Sequence, residues 1–315
     1  MLSFWTNYWR AAPAAVSRFV SSRAVSFTSV ASPTGRPCQP LTAQPVAPFI
    51  EAHFRSSPTA PPFKYVTAPD EIFLTVDDEK SALAGTIRAR PIGTFDGEPV
   101  SVIDCFCVRP DWRKRGLGSY LLRQLQTEAA ARGRYNAIFL KEGAPLSLFG
   151  IHPFYSSVYA YRYVANGVAS GSSAAKPIPT HVAHRLVDNY ILLNPDTFLI
   201  RNREAANQNW FYWRESATAW VIALIQDSYQ EFPNGGGKIG WMTGWLESGR
   251  LSTTARRQAA EAITAAAAPA AYDWVWLDER WTGDSPVFAR DCPFHWYSYQ
   301  WATSLLPGQS YCIMN

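Results

Sequence analysis

The sequence predicts an α+β fold: a mixed, mainly antiparallel sheet with helices on both faces, expected twice along the chain. Three observations carry this. IFLTVDD (72–78) and ALAGTIRARPI (82–92) alternate as two strands joined by a polar turn, and FDGEP (95–99) turns into a third, VSVIDCFCV (100–108). SYLLRQLQTEAAARG (119–133) then has helical spacing that stops at Gly133, and NAIFLK (136–141) returns as a short buried strand parallel to the third. The second half repeats the order. WVIALIQD (220–227) and IGWMTGWLE (239–247) form a hairpin around FPNGGGK (232–238). An alanine-rich helix, TARRQAAEAITAAAA (254–268), is stopped by Pro269 and followed by strands DWVWLDE (273–279) and HWYSYQW (295–301). SYCIMN closes the chain as a short strand.

Composition divides the chain further. Residues 1–65 are expected to be a flexible arm or strap, residues 66–165 the first sheet-bearing half and residues 166–315 the second, entered through the small-residue stretch ANGVASGSSAAKPIP (165–179). PFIEAHF (48–54) is a short helical candidate within the arm, and FYSSVYAYRYV (154–164) is expected to form a helical turn and a closing strand. Before Glu51 there is no acidic residue, while Arg10, Arg18, Arg23 and Arg36 sit among Ser, Ala and Pro. That composition fits an organellar, mitochondrial type of transit peptide. It fits equally an arm that binds an anionic ligand within a cytoplasmic protein.

The 315 residues are 47% hydrophobic and 14% aromatic, enough for one large core or two moderate ones. The net charge of +4 is spread along the chain, so nucleic acid is not expected as a partner. No run of eighteen apolar residues exists, so no membrane-spanning segment is expected. The five cysteines, Cys38, Cys105, Cys107, Cys292 and Cys312, form no C-x-x-C pair and read as reduced thiols. His181 and His184 stand alone, without nearby carboxylates or thiols, and no metal is expected.

The chemistry lies in VRPDWRKRGLGSYLL (108–122). Here Arg113, Lys114 and Arg115, with Gly116 and Gly118, fall between a buried strand and a helix N-terminus. Unpaired N–H groups and the helix dipole favour an anion there, most naturally a phosphate. The turn is neither a dinucleotide fingerprint, since Leu121 stands at the third glycine position, nor a Walker loop, since no Gly-Lys-Ser/Thr follows.

The pattern V-x-P-x-x-R-x-x-G-x-G-x-x-L-L, carried by Val108, Pro110, Arg113, Gly116, Gly118, Leu121 and Leu122, resembles motif A of the GNAT N-acyltransferase superfamily. FYSSVYAYRYV resembles that family's motif B, and the two together cover roughly residues 72–164. A narrower resemblance is to the N-myristoyltransferases, which have two GNAT-like halves. It rests on PFIEAHFRSSPTAPPF (48–63), on LAGTIRARPI (83–92) followed by VIDCFCV, on HWYSYQWATSLLPGQSYCIMN (295–315) and on SFWTN near the start. The chain departs from that family at VFARDCPF (287–294), which replaces a glycine-rich loop, and at Asp104, where the family has asparagine.

The resemblance implies an acyl-CoA co-substrate, either myristoyl-CoA or acetyl-CoA, and an amine acceptor on a peptide, protein or small molecule. It implies that Val108, Arg113, Lys114, Arg115, Gly116, Leu117, Gly118 and Ser119 hold the pyrophosphate. The backbone N–H groups of Cys105 and Phe106 would form an oxyanion hole, and Tyr155 would protonate the departing thiolate. Two carboxylates compete as base: that of Asp104, and the C-terminal one on Asn315. Two other outcomes stay open, a plain N-acetyltransferase and a GNAT fold used only for binding.

Overall fold

The computed structural model describes residues 39–40, 46–54, 63–78, 82–146, 152–164, 175–205, 207–232, 236–249, 251–267, 272–299 and 310–314. The strands are β1 (Gln39–Pro40), β2 (Ile72–Asp77), β3 (Leu83–Phe95), β4 (Glu98–Val108), β5 (Asn136–Glu142), β6 (Tyr155–Tyr163) and β7 (Lys176–Ile178), then β8 (Phe198–Ile200), β9 (Asn209–Arg214), β10 (Trp220–Phe232), β11 (Gly237–Glu247), β12 (Trp274–Asp278), β13 (Ala289–Tyr299) and β14 (Tyr311–Ile313). The helices are α1 (Val46–His53), α2 (Leu117–Ala131), α3 (Thr180–Leu193) and α4 (Thr253–Ala267).

These elements fall into two compact units. Unit 1 comprises residues 1–92, 96–155 and 295–304, and unit 2 comprises 93–95, 156–294 and 305–315. Along the chain the order α-β-β-β-α-β-β occurs twice, as α1-β2-β3-β4-α2-β5-β6 and, with the three-residue β8 intervening after α3, as α3-β9-β10-β11-α4-β12-β13. The final strand of each series belongs to the other unit: β6 from Ser156 onward lies in unit 2, and His295–Tyr299 of β13 lies in unit 1.

In unit 1 the strands run β1-β2-β3-β4-β5, followed by the unit 1 part of β13. β2 and β3 are antiparallel, whereas β4 and β5 are parallel, joined by the crossover helix α2 as a parallel pair requires. Leu117, Tyr120, Leu121, Leu122 and Leu125 form the buried face of α2, packed on Ile72, Leu74, Val76, Ile87 and Ala89 of the sheet. Each such side chain contributes about 1.5–3 kcal/mol when fully withdrawn from water. Phe139 of β5 stacks on Tyr297 of β13 with centroids 4.9 Å apart, and the Tyr297 hydroxyl accepts the Leu146 N–H at 2.9 Å.

Unit 2 has the order β6-β12-β11-β10-β9-β7. β9, β10 and β11 are antiparallel, and β11 and β12 are parallel across α4. β12 pairs antiparallel with β6 from Trp274↔Tyr163 to Asp278↔Tyr159. α3 buries Ala183, Val187 and Tyr190 against a core that includes Trp210, Ile222, Leu224, Leu246 and Cys312.

Several sequence expectations are corrected. FYSSVYAYRYV forms strand without a helical turn, because alternating Tyr, Val and Ala side chains suit a pleated surface. The segment ARDCPF is already strand, so β13 begins at Ala289. The segment containing His181 and His184 is helix α3, which presents Ala183, Val187 and Tyr190 at helical spacing. His184 is held by Gln208 at 3.0 Å.

Candidate functional site

The site is built at the end of β4. Pairing of β4 with β5 runs from Val100↔Asn136 to Val102↔Ile138 and goes no further, although β4 continues to Val108. The two strands therefore part just where the chain approaches the glycine turn. At Cys105 the backbone adopts φ +50°, a left-handed conformation that costs a non-glycine residue on the order of 1–3 kcal/mol. Phe106, the next residue, is 39% exposed between the buried Cys105 and Cys107.

Beyond Val108 the chain forms a 3₁₀ turn at Pro110–Trp112, and Lys114 and Gly116 both take positive φ. Gly116, at φ +85°, is the N-cap of α2, and no side chain caps the helix. The first intrahelical bond runs from Tyr120 N–H to Gly116 O at 3.0 Å, which leaves the N–H groups of Leu117, Gly118 and Ser119 without an intrahelical acceptor. Gly118 packs on the Phe106 ring, where a Cβ would stand 3.2 Å from its edge. Arg113 Nε donates to Val108 O at 3.0 Å, and the Arg115 guanidinium lies 5.2 Å from the Trp112 ring centroid. Arg109 anchors the base of the turn, donating to Asp78 and Asp111 at 2.7 Å each and to Leu83 O at 3.0 Å. These contacts form an anion cradle with free N–H groups at its floor and three consecutive cations at its rim.

The matching turn of unit 2 is closed. There Ser252 Oγ accepts the Ala255 N–H at 3.1 Å, so α4 carries its own cap, and Arg256 is paired with Glu247 at 2.6 Å rather than left for a ligand. One cradle of the two is therefore open.

Residues 41–155 match the acetyltransferase (GNAT) family model. That stretch is similar to the GNAT acetyltransferases. The chain as a whole shares its fold with N-myristoyltransferase of Saccharomyces cerevisiae. Against one structure of that protein with bound myristoyl-CoA, the likeness covers 99% of this chain and 96% of the other, at 11% identity and a TM-score of 0.57. Against another, with myristoyl-CoA and inhibitors, it covers 96% and 90% at 11% identity, with a TM-score of 0.63. No curated protein sequence matches the chain.

Within the matched residues, the structure brings Asp104, Cys105, Phe106 and Val108 onto one strand end, directly before the cradle formed by Arg113, Lys114, Arg115, Gly116, Leu117, Gly118 and Ser119. Tyr155 is buried at the first residue of β6, in unit 1. Asn315 lies outside the described residues; β14 leads toward it, buried through Met314 in unit 2.

Burial disfavours the thiolate form of both cysteines at the strand end. Burial pushes the Cys105 thiol far up, and burial likewise raises Cys107 to about 12, so neither is a thiolate at neutral pH.

Arg88 is a site residue that sequence reasoning did not single out. It is 1% exposed on β3 and forms a two-pronged ion pair with Asp104, Nε to Oδ1 at 2.5 Å and Nη2 to Oδ2 at 2.8 Å. Its Nη1 donates to Val66 O at 2.7 Å and to Glu71 at 3.2 Å, and its guanidinium lies 5.3 Å from the Tyr65 ring centroid. Burial opposes its charge, but the Asp104 carboxylate and the bonds to it hold Arg88 protonated above its ordinary range. An arginine in the middle of an apolar strand, Ile87–Arg88–Ala89, was the available signal, because such a charge is buried only with a partner.

Proposed function

We propose that this chain is an N-acyltransferase of the N-myristoyltransferase kind, transferring an acyl group from acyl-CoA to a peptide N-terminal amine. The observation that carries it is the uncapped, cation-rimmed N-terminus of α2 immediately beyond a strand edge that has parted from its neighbour. The first feature suits the pyrophosphate of acyl-CoA. The second supplies backbone N–H groups, those of Cys105 and Phe106, for a thioester carbonyl.

In the reaction the neutral amine attacks the thioester carbon, and charge develops on the carbonyl oxygen. The new C–N bond forms, the C–S bond breaks, and the sulfur departs as CoA thiolate. The amine loses one proton and the thiolate gains one, so CoA leaves as the free thiol; the resemblance assigns that last protonation to Tyr155. The protein contributes position and electrostatics throughout, and no covalent intermediate on its own thiols is required.

Calorimetric titration of the purified protein with myristoyl-CoA and acetyl-CoA tests this, followed by assay against peptides with free and blocked N-termini. Tight binding of the long-chain thioester and acylation confined to free N-termini are expected. Equal affinities with acetyl transfer would replace the proposal by a plain acetyltransferase, and binding without turnover by a binding module.

A further inference from the structure

The face of the unit 1 sheet opposite α2 carries a set of paired charges behind the left-handed residue of β4. Ile87 and Ala89 point toward α2, so strand alternation turns Thr86, Arg88 and Arg90 to the other side. There Arg88 joins Asp104 and Glu71, and Arg90 Nη2 stands 3.6 Å from Asp104 Oδ2. Two positive and two negative groups thus balance. Tyr65 donates to Glu71 at 2.6 Å, and the Ala68 N–H donates to the same carboxylate at 3.1 Å. Both Asp104 oxygens are engaged by guanidinium N–H groups, a geometry that suits an anchor and leaves poor access for an incoming amine.

Thr86 adds the second half of the argument. It is fully buried, and its Oγ1 donates to the Cys105 carbonyl at 2.8 Å. The carbonyl of Cys105 and the N–H of Phe106 belong to one planar trans peptide and point in opposite directions. Holding the carbonyl toward β3 therefore aims the Phe106 N–H away from β3. That is the β5 side of β4, where pairing with β5 has already ended. Asp104 fixes the residue just before the left-handed Cys105, and Thr86 fixes the peptide just after it. A strained φ persists only where its surroundings impose it, and these two contacts bracket it.

We propose that Arg88, Asp104 and Thr86 form a positioning device for acyl transfer, holding the left-handed Cys105 so that the Phe106 N–H faces the thioester carbonyl. This rests on the proposed acyl transfer and assigns Asp104 a role other than base. No bond to substrate is made by any of the three. Their effect is exerted through the direction of one backbone donor, and loss of such a donor typically lowers kcat by about a hundredfold to a thousandfold.

The test uses the full chain. Thr86→Val keeps shape and removes the hydroxyl. It should lower kcat at least tenfold with the KM for acyl-CoA unchanged, and Thr86→Ser should recover most of the rate. Asp104→Asn should likewise lower kcat while the acidic limb of the pH–rate profile keeps its slope. Each variant is checked by thermal melting. Should Asp104→Asn fail to fold, the Val and Ser variants at Thr86 carry the decision. Backbone amide NMR adds a readout independent of turnover: a CoA thioester should shift the Phe106 N–H in the wild type and much less in Thr86→Val. Full kcat in Thr86→Val, or loss of the acidic limb in Asp104→Asn, would overturn the proposal by making the hydroxyl idle or the carboxylate the base. A wild-type chain that binds acyl-CoA without turnover would instead remove the acyl-transfer proposal beneath it, and the positioning role with it.

Discussion

Single residues at the cradle set the sharpest expectations. Gly118 sits where any Cβ would press on the Phe106 ring, and a β-branched side chain would also narrow the approach to the free N–H groups of α2. In Gly118→Val the affinity for CoA should fall at least tenfold, about 1.4 kcal/mol, measured by calorimetry, while the circular dichroism spectrum is retained. His53, at the end of α1, gives a pH effect. Burial lowers its pKa, and the positive charges of Arg113 and Arg109 lower it further. The unfolded chain therefore takes up the proton more readily than the folded one. Stability from this group is complete above the ordinary histidine value of 6.5 and is lost as pH falls through the depressed folded value. Urea midpoints measured between pH 5 and pH 7 should show a shallower acid-side decline in His53→Asn than in the wild type. At this scale the cradle was legible, because Arg113–Arg115 and the glycines need only local backbone to act. Arg88 was not, since its meaning depends on Asp104, sixteen residues away and on another strand.

At the scale of elements, packing decides. Leu121 of α2 is completely buried against the unit 1 sheet, and Leu121→Ala should cost about 2–5 kcal/mol of stability in denaturant titrations. In unit 2, β14 pairs β11 at Gly244↔Cys312 and Trp245↔Tyr311, occupying the edge that β11 leaves beyond its three-residue pairing with β12. A Cβ at Gly244 would meet Cys312 Sγ at 2.6 Å and Leu224 Cβ at 2.9 Å. Gly244→Val should therefore displace β14 and destabilise the protein by several kcal/mol, with amide hydrogen exchange rising first at Tyr311–Ile313. The strongly periodic elements were readable: β2, β3, β4, α2, β5, β10, β11, α4 and β12 all stand close to their sequence positions. α3 was not legible because it buries only Ala183, Val187 and Tyr190, a sparse apolar stripe, and β7 and β8 because three residues carry too little pattern. In NWFYWR, which forms β9, the aromatic residues mask any alternation.

For the whole molecule, the exchange of final strands is the governing fact. Unit 1 is completed by His295–Tyr299 and unit 2 by Ser156–Tyr163, so neither sequence half holds all the strands of one unit. Fragments 1–165 and 166–315 should each melt without a cooperative transition, and mixing them during refolding should restore one. Acyl length is decided at this scale too. Each methylene withdrawn from water is worth roughly 0.8 kcal/mol, so a long buried acyl channel should make myristoyl-CoA bind orders of magnitude more tightly than acetyl-CoA.

Local chemistry was legible along the chain: where the strongly periodic strands and helices lie, that a cationic glycine turn stands at a helix N-terminus, and that the α-β arrangement recurs. These follow from side-chain periodicity and backbone preference, which act over a few residues. The tertiary structure alone decided which strands complete which unit and that the cradle of unit 2 is closed by Ser252. It also decided that Asp104 is held by Arg88. Each of these is a contact between residues distant along the chain or a choice between competing hydrogen-bond partners, and its free energy exists only once the surrounding core has excluded water.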